Sequence, residues 1–385
     1  MAGLIVFNGN IGAETDFIYW MADRIVTSRH RDAAVRDSRR VVLVTAAWED
    51  NEYQEGHLKD ALRSVGVPSE WRDGHEVNIV NLGAWHAYRE FASREPALWE
   101  KWREREALIE ETRRLYLERN SFYIEMLRRS LNEVRRRLPH LRLWEILADR
   151  NGEFSHPPAS FDGDGLMGVF VARDIRETVA RLIENDDRMV ELLRELDDHF
   201  IAGTGLHYNA TWQELRERLE RTLLGANTVF LFGGNLGALH RCLNFFRLRE
   251  TFGEAWRRGT SLFASSAGSL LLCDRIIVYN DFPSEFGERR EFQLFDRGFG
   301  LVRHLQLFPH CMDRIQTDDT DNLSYLAHRF QNRMCVGLNE HSFLQIDTEP
   351  ELCLTSVGEH DGVYVFDPAG TKLRYDFGRT LQPVG

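Results

Sequence analysis

The sequence predicts an α/β fold with a mostly parallel central sheet, interrupted by a large helical insertion. Three observations predict it. Leu4-Ile5-Val6-Phe7 and Val41-Val42-Leu43-Val44 are short, wholly apolar runs, the pattern of strands buried on both faces of a parallel sheet. Helical spacing from Thr15 to about Ser28 separates them, so strand, helix and strand alternate. From about Pro96 to Arg137 the chain is dense in Arg and Glu and has no glycine, which breaks the alternation with a long helix or a broken pair of helices.

The chain is long enough, at 385 residues, for two domains or for one domain with an insertion. A formal charge of −12 argues against nucleic acid or an anionic membrane surface as the main partner. The five cysteines, Cys242, Cys273, Cys311, Cys335 and Cys353, are scattered and odd in number, without C-x-x-C spacing. Neither a disulfide framework nor a zinc site is expected, and a cytoplasmic, reducing setting fits. The N-terminus lacks the pattern of a signal peptide, and no apolar run approaches the roughly 20 residues of a membrane span.

In chain order, Glu55–Ser64 reads as a helix and Val77–Leu82 as a strand, with the Thr45–Asn51 loop at a strand's carboxyl end, where ligands bind in such folds. Within the insertion, taken as 86–208, Ile109, Tyr116, Tyr123, Leu127, Leu131, Val134 and Leu138 make one apolar seam. The seam packs on the core or on a second subunit, the latter giving a homodimer. A second helix is expected over about Asp174–Phe200. The Asp162-Gly163-Asp164-Gly165 run suggests calcium, but Arg173 stands where the closing Glu belongs, so no metal is expected. The alternation resumes with helix Trp212–Leu224, strand Thr228–Phe232, and helices from Leu236 and around Glu254. Further strands follow to Phe366, so the α/β domain is expected over 1–85 and 209–385.

The chemistry gathers at Ser261–Leu272. An apolar run enters a knot of tiny residues and a helical pattern leaves it, which is how a strand turns sharply into a helix with one side chain raised at the bend. That side chain is Ser266. A serine hydroxyl needs a base to take its proton and a third group to orient the base. His310, after an apolar strand and Pro309, is the best candidate base; His30, His57, His75 and His86 lie in polar segments expected to be exposed. Asp281 and Glu340 both follow apolar runs, and either suits the orienting acid. The N–H of Ala267 and that of Gly234, in the tight turn after strand 228–232, are candidate oxyanion donors. The only lysines, Lys59, Lys101 and Lys372, are remote in sequence from Ser266, which disfavours a Ser–Lys dyad.

The order of these pieces resembles the peptidase E and cyanophycinase family of serine peptidases. Phe232-Gly233-Gly234-Asn235, Ser266-Ala267-Gly268, Asn280-Asp281 before Pro283, Gly300-Leu301 before Phe308-Pro309-His310, and Gly337-Leu338-Asn339-Glu340 carry the resemblance, which covers 209–347 well and 3–83 weakly. It implies the class I glutamine amidotransferase-like fold, a three-layer sandwich, with serine in place of cysteine at the elbow. It further implies Ser266 as nucleophile, His310 as base, and Asp281 or Glu340 as the acid. Asn235 and Arg314 are then substrate-binding positions, and no cofactor is required. This chain departs from the pattern at Ala264, at Ser269 and in its insertion. The acidic loop Asp313–Asn322 also departs, and it favours a basic substrate end over an aspartyl one.

The leading expectation is a serine peptidase acting on a small peptide or an aspartyl- or isoaspartyl-type amide through an acyl-enzyme. The rival is a catalytically silent binding or regulatory module of the same fold, with the insertion as its partner surface. A glutamine amidotransferase needs a thiolate at the bend, which Ser266 does not supply.

Overall fold

The computed structural model describes residues 2–10, 12–27, 29–137, 141–147, 165–279, 292–315, 317–348, 351–358 and 362–381. The first part of the chain gives β1 (Ile5–Asn8), α1 (Glu14–Trp20), α2 (Ala22–Val26), α3 (Ala33–Ser38), β2 (Val41–Val44) and α4 (Gly56–Ser64). A small hairpin follows, β3 (Trp71–Arg72) and β4 (His75–Glu76), then β5 (Ile79–Asn81) and α5 (Ala84–Arg94). Next come α6 (Pro96–Arg137), α7 (Leu143–Leu147), α8 (Gly165–Thr204) and α9 (Ala210–Leu224). The alternation resumes with β6 (Thr228–Leu231), α10 (Leu236–Phe245), α11 (Arg249–Arg257), β7 (Ser261–Ser265) and α12 (Ala267–Leu272). The rest is β8 (Arg275–Tyr279), β9 (Phe292–Arg297), β10 (Leu305–Pro309), α13 (Cys311–Arg314), α14 (Thr320–Arg329), β11 (Met334–Leu338), β12 (Phe343–Asp347), β13 (Cys353–Val357), β14 (Val363–Phe366) and β15 (Lys372–Tyr375).

The central sheet has the order β13-β12-β1-β7-β6-β2-β5. Its five strands from β1 to β5 run parallel, while β12 and β13 extend it antiparallel at one edge. Alternation along the strands supplies two cores. Ile5, Phe7, Val42, Val44, Leu231 and Leu262 face one layer of helices, and Val6, Val41, Leu43, Phe230 and Phe263 face the other. On the second face Phe230 stacks on Phe263 with centroids 4.9 Å apart, and Phe17 of α1 meets Phe230 edge-on at 5.7 Å. Each such ring contributes about 1.5–3 kcal/mol by leaving water. A mixed α/β fold with a mainly parallel sheet is therefore what this chain adopts.

A second sheet, β10-β11-β14-β15, stands apart from the first, with β10 and β11 parallel. The sequence gives no separate signal for it, because its strands share the apolar character of the central ones.

The charged region forms two helices, α6 of 42 residues and α8 of 40 residues, packed on each other. The expected seam is where they meet: Ile109 and Tyr116 bury against Met189 and Leu193, and Leu127 and Val134 against Val179 and Leu182. Tyr116 also tethers the pair to the rest of the molecule, since its hydroxyl accepts from Leu294 N–H of β9 and donates to Asp186. Asp186 forms a wholly buried ion pair with Arg329 of α14 at 2.7 Å. Helix 15–28 differs from expectation by breaking at Met21, and α5 begins at Ala84, across the expected start of the helical insertion. Glu52 explains α5: its buried carboxylate accepts the N–H groups of Trp85 and His86 in the first turn, an N-terminal cap supplied from 33 and 34 residues upstream. The runs His156–Pro158 and Asp162–Asp164, and Pro139, lie outside the described residues.

Candidate active site

The bend at Ser266 follows directly from strand β7 feeding helix α12. Ser266 sits between them at φ 49°, ψ −110°, a conformation L side chains rarely adopt and one that costs about 1–3 kcal/mol. What holds it is a set of hydrogen bonds to Asn8, at the carboxyl end of the adjacent strand β1. The N–H of Ser266 donates to Asn8 O at 3.0 Å, and Ser265 Oγ donates to Asn8 Oδ1 at 3.0 Å. Ser269 donates to Asn8 O at 2.9 Å and to Ala264 O at 2.7 Å. The hydroxyl at 269 thus ties the first turn of α12 to two strand ends, and Asn8 is a site residue that no sequence signal near Ser266 discloses.

His310 stands at the end of β10, in the left-handed region at φ 54°, ψ 37°, and begins α13. Its Nε2 is 3.4 Å from Ser266 Oγ. That is long for a hydrogen bond, as such pairs often are without substrate. The contact joins the two sheets, since Ser266 belongs to the central one and His310 to the second. The turn after His310 is fixed by Asn339, whose Oδ1 accepts from Met312 N–H at 2.9 Å and Cys311 Sγ at 3.0 Å.

Of the two candidate acids, Asp281 lies outside the described residues. Glu340 is about half exposed, and among the described residues its ionic neighbour is His341, with Oε1 3.6 Å from His341 Nε2. Gly234, after β6, takes φ 129°, and a side chain there would come within 2.9 Å of Ala47 O. Glycine is therefore required at 234. Ala267 is the first residue of α12, whose N-terminal N–H groups carry partial positive charge. Asn235 caps α10, accepting from Ala238 N–H at 3.1 Å, and donates through Nδ2 to Glu49 at 2.7 Å. Arg314 ends α13 and is half-buried.

The cysteines stand apart from the bend. All five are free thiols, and burial pushes those of Cys273 and Cys335 up to about 12 and that of Cys242 well above its ordinary value. His30 is buried rather than exposed, and His86 is engaged with Glu52, its Nδ1 2.8 Å from the carboxylate.

With this geometry in place, the comparisons speak to family. Residues 185–351 match the model of Peptidase family S51. Over that stretch, less than half of its length, the chain is similar to the S51 peptidases. The S51 segment begins inside α8 and takes in Ser266, His310 and Glu340. It bears out the resemblance drawn from the motifs, and it makes peptidase, a hydrolase, the coarse function. No curated protein matches the chain. A solved peptidase from an acI-B1 Actinobacterium is similar at 14% identity over 99% of this chain and 97% of that one, with a TM-score of 0.43. So loose a likeness says nothing further of this chain. Among the described residues no helix is long and apolar enough to cross a membrane.

Proposed function

We propose that the chain is a serine peptidase that cleaves a small peptide, or an aspartyl- or isoaspartyl-type amide, through an acyl-enzyme on Ser266. The observation that carries the reading is the strained bend that holds Ser266 Oγ 3.4 Å from His310 Nε2. In the first half-reaction Oγ attacks the amide carbonyl carbon while His310 Nε2 takes its proton. The carbonyl oxygen becomes an oxyanion between the N–H groups of Gly234 and Ala267. Collapse breaks the C–N bond, and the proton on His310 leaves with the amine. In the second half-reaction water gives a proton to His310 and attacks the ester, and the acid departs as Oγ is reprotonated. Asp281 or Glu340 keeps the imidazole in the orientation this requires. Asn235 and Arg314 border the substrate.

The test is covalent. A fluorophosphonate that labels the wild-type protein should fail to label Ser266→Ala, with unchanged circular dichroism. Equal labelling of both proteins would remove Ser266 from the mechanism. Absence of labelling in the wild type would favour a silent module.

A further inference from the structure

Resting on the assignment of Ser266, we infer that Glu49 sets the charge preference of the site, receiving a cationic nitrogen of the substrate, an ammonium or guanidinium, on its carboxylate. Two short steps lead from the hydroxyl to this residue. Gly233 packs on the bend, where an added Cβ would lie 3.0 Å from Ser266 Cβ and 3.6 Å from Oγ. The next two residues of that turn pack on the loop after β2, with Asn235 N–H donating to Ala47 O at 2.9 Å. Glu49 is two residues further along this loop, at the carboxyl end of the parallel strand beside β6.

Its backbone is as unusual as that of Ser266. Glu49 takes φ 56°, ψ −124°, and Ser266 takes φ 49°, ψ −110°, so the strands flanking β6 each lead into one non-glycine residue in the same strained corner. At Glu49 that geometry turns the side chain back toward the Gly233–Asn235 turn, where Oε1 accepts from Asn235 Nδ2 at 2.7 Å. Asn235 is neutral, and its own oxygen is spent on Ala238 N–H. Among the described residues no Arg, Lys or His lies within ion-pair distance of Glu49, and none donates a hydrogen bond to its second oxygen. Asp50 beside it accepts from Trp85 Nε1 and likewise meets no cation among the described residues. The rim here carries negative charge that a substrate cation would neutralise.

Three described carboxylates of the acidic loop after His310 are already engaged. Asp318 pairs with Lys372, Asp319 caps α14, and Asp321 accepts from Leu143 N–H and Arg135. A basic substrate end, which the sequence assigns to that loop, is met instead by Glu49.

Two fluorophosphonates test the inference, one bearing a free amine and the other its acetylated, uncharged twin. The wild type should be labelled faster by the amine, and the ratio of the two rates should fall on the order of 10- to 100-fold in Glu49→Gln, the worth of one hydrogen bond to a charged group. Gln keeps an oxygen for Asn235, so the turn is preserved, and matching thermal midpoints check this. Glu49→Lys should invert the preference toward a carboxylate-bearing probe. A wild type without preference, or a Glu49→Gln variant slowed equally toward both probes, overturns the inference while leaving Ser266 in place. Failure of both probes on the wild type overturns Ser266 and this inference together.

Discussion

At the scale of single residues, the bend is governed by two asparagines that bear no chemistry themselves. Asn8 receives three hydrogen bonds from Ser265, Ser266 and Ser269 and donates to Ser342 O at 3.1 Å. Asn339 does the corresponding work for His310, by closing the turn that follows it. Replacing Asn339 with Ala removes that acceptor and loosens the imidazole without touching the hydroxyl. Labelling of Ser266 should slow on the order of tenfold, since small misplacements at a reacting pair are costly. A variant that loses stability but keeps the labelling rate would reduce Asn339 to a structural residue. The bend itself is legible in the sequence because its signal is local: an apolar run, tiny residues, then a helical pattern. Asn8 and Asn339 are not legible, because their partners lie 257 and 27 or 28 residues away and the polar side chain alone does not say which. Glu49 is hidden for a different reason. A glutamate in a loop looks like solvated charge, and only its backbone angles and its tie to Asn235 set it apart.

At the scale of elements, the α6–α8 pair shows what periodicity conveys and what it leaves out. The apolar seam is readable because three- and four-residue spacings must fall on one face. The anchoring of the pair is not, because it depends on a polar side chain at the centre of α8 meeting one from α14. Asp186 and Arg329 are both buried there, with Tyr116 and Asn120 also bonded to the guanidinium. Burial alone would lower the pKa of Arg329, but Asp186 beside it holds the guanidinium charged. Changing Asp186 to Asn leaves that cation buried without its counter-charge and should cost about 3–5 kcal/mol in urea unfolding. The double variant Asp186→Leu, Arg329→Met removes both charges and should recover a good part of the loss. A single variant as stable as the wild type would mean that water reaches the pair. The same limit explains α5. Its first turn depends on Glu52, which reads in sequence as one more acid in a polar loop.

At the scale of the whole molecule, Ser266 and His310 come from different sheets, and one of the chain's passages between those sheets is four residues long. The chain leaves β11 in the second sheet, passes through 339–342, and enters β12, next to the edge strand of the central one. Along this passage Asn10 bridges to Glu340 and accepts from His341 N–H, while Gly9 packs so tightly that a Cβ would lie 2.3 Å from Leu338 O. Gly9→Ala must therefore push the sheets apart. It should slow Ser266 labelling by about tenfold or more while leaving the circular dichroism of the fold intact. An unchanged rate would show that the seam gives way elsewhere. The fold class was readable from the sequence because buried parallel strands have a composition of their own, whereas the split into two sheets is a matter of partner choice among similar strands. This crossing has a consequence for how such a chain can diversify. Lengthening or shortening a four-residue passage would reset the reach between hydroxyl and imidazole while both hydrophobic interiors stay as they are.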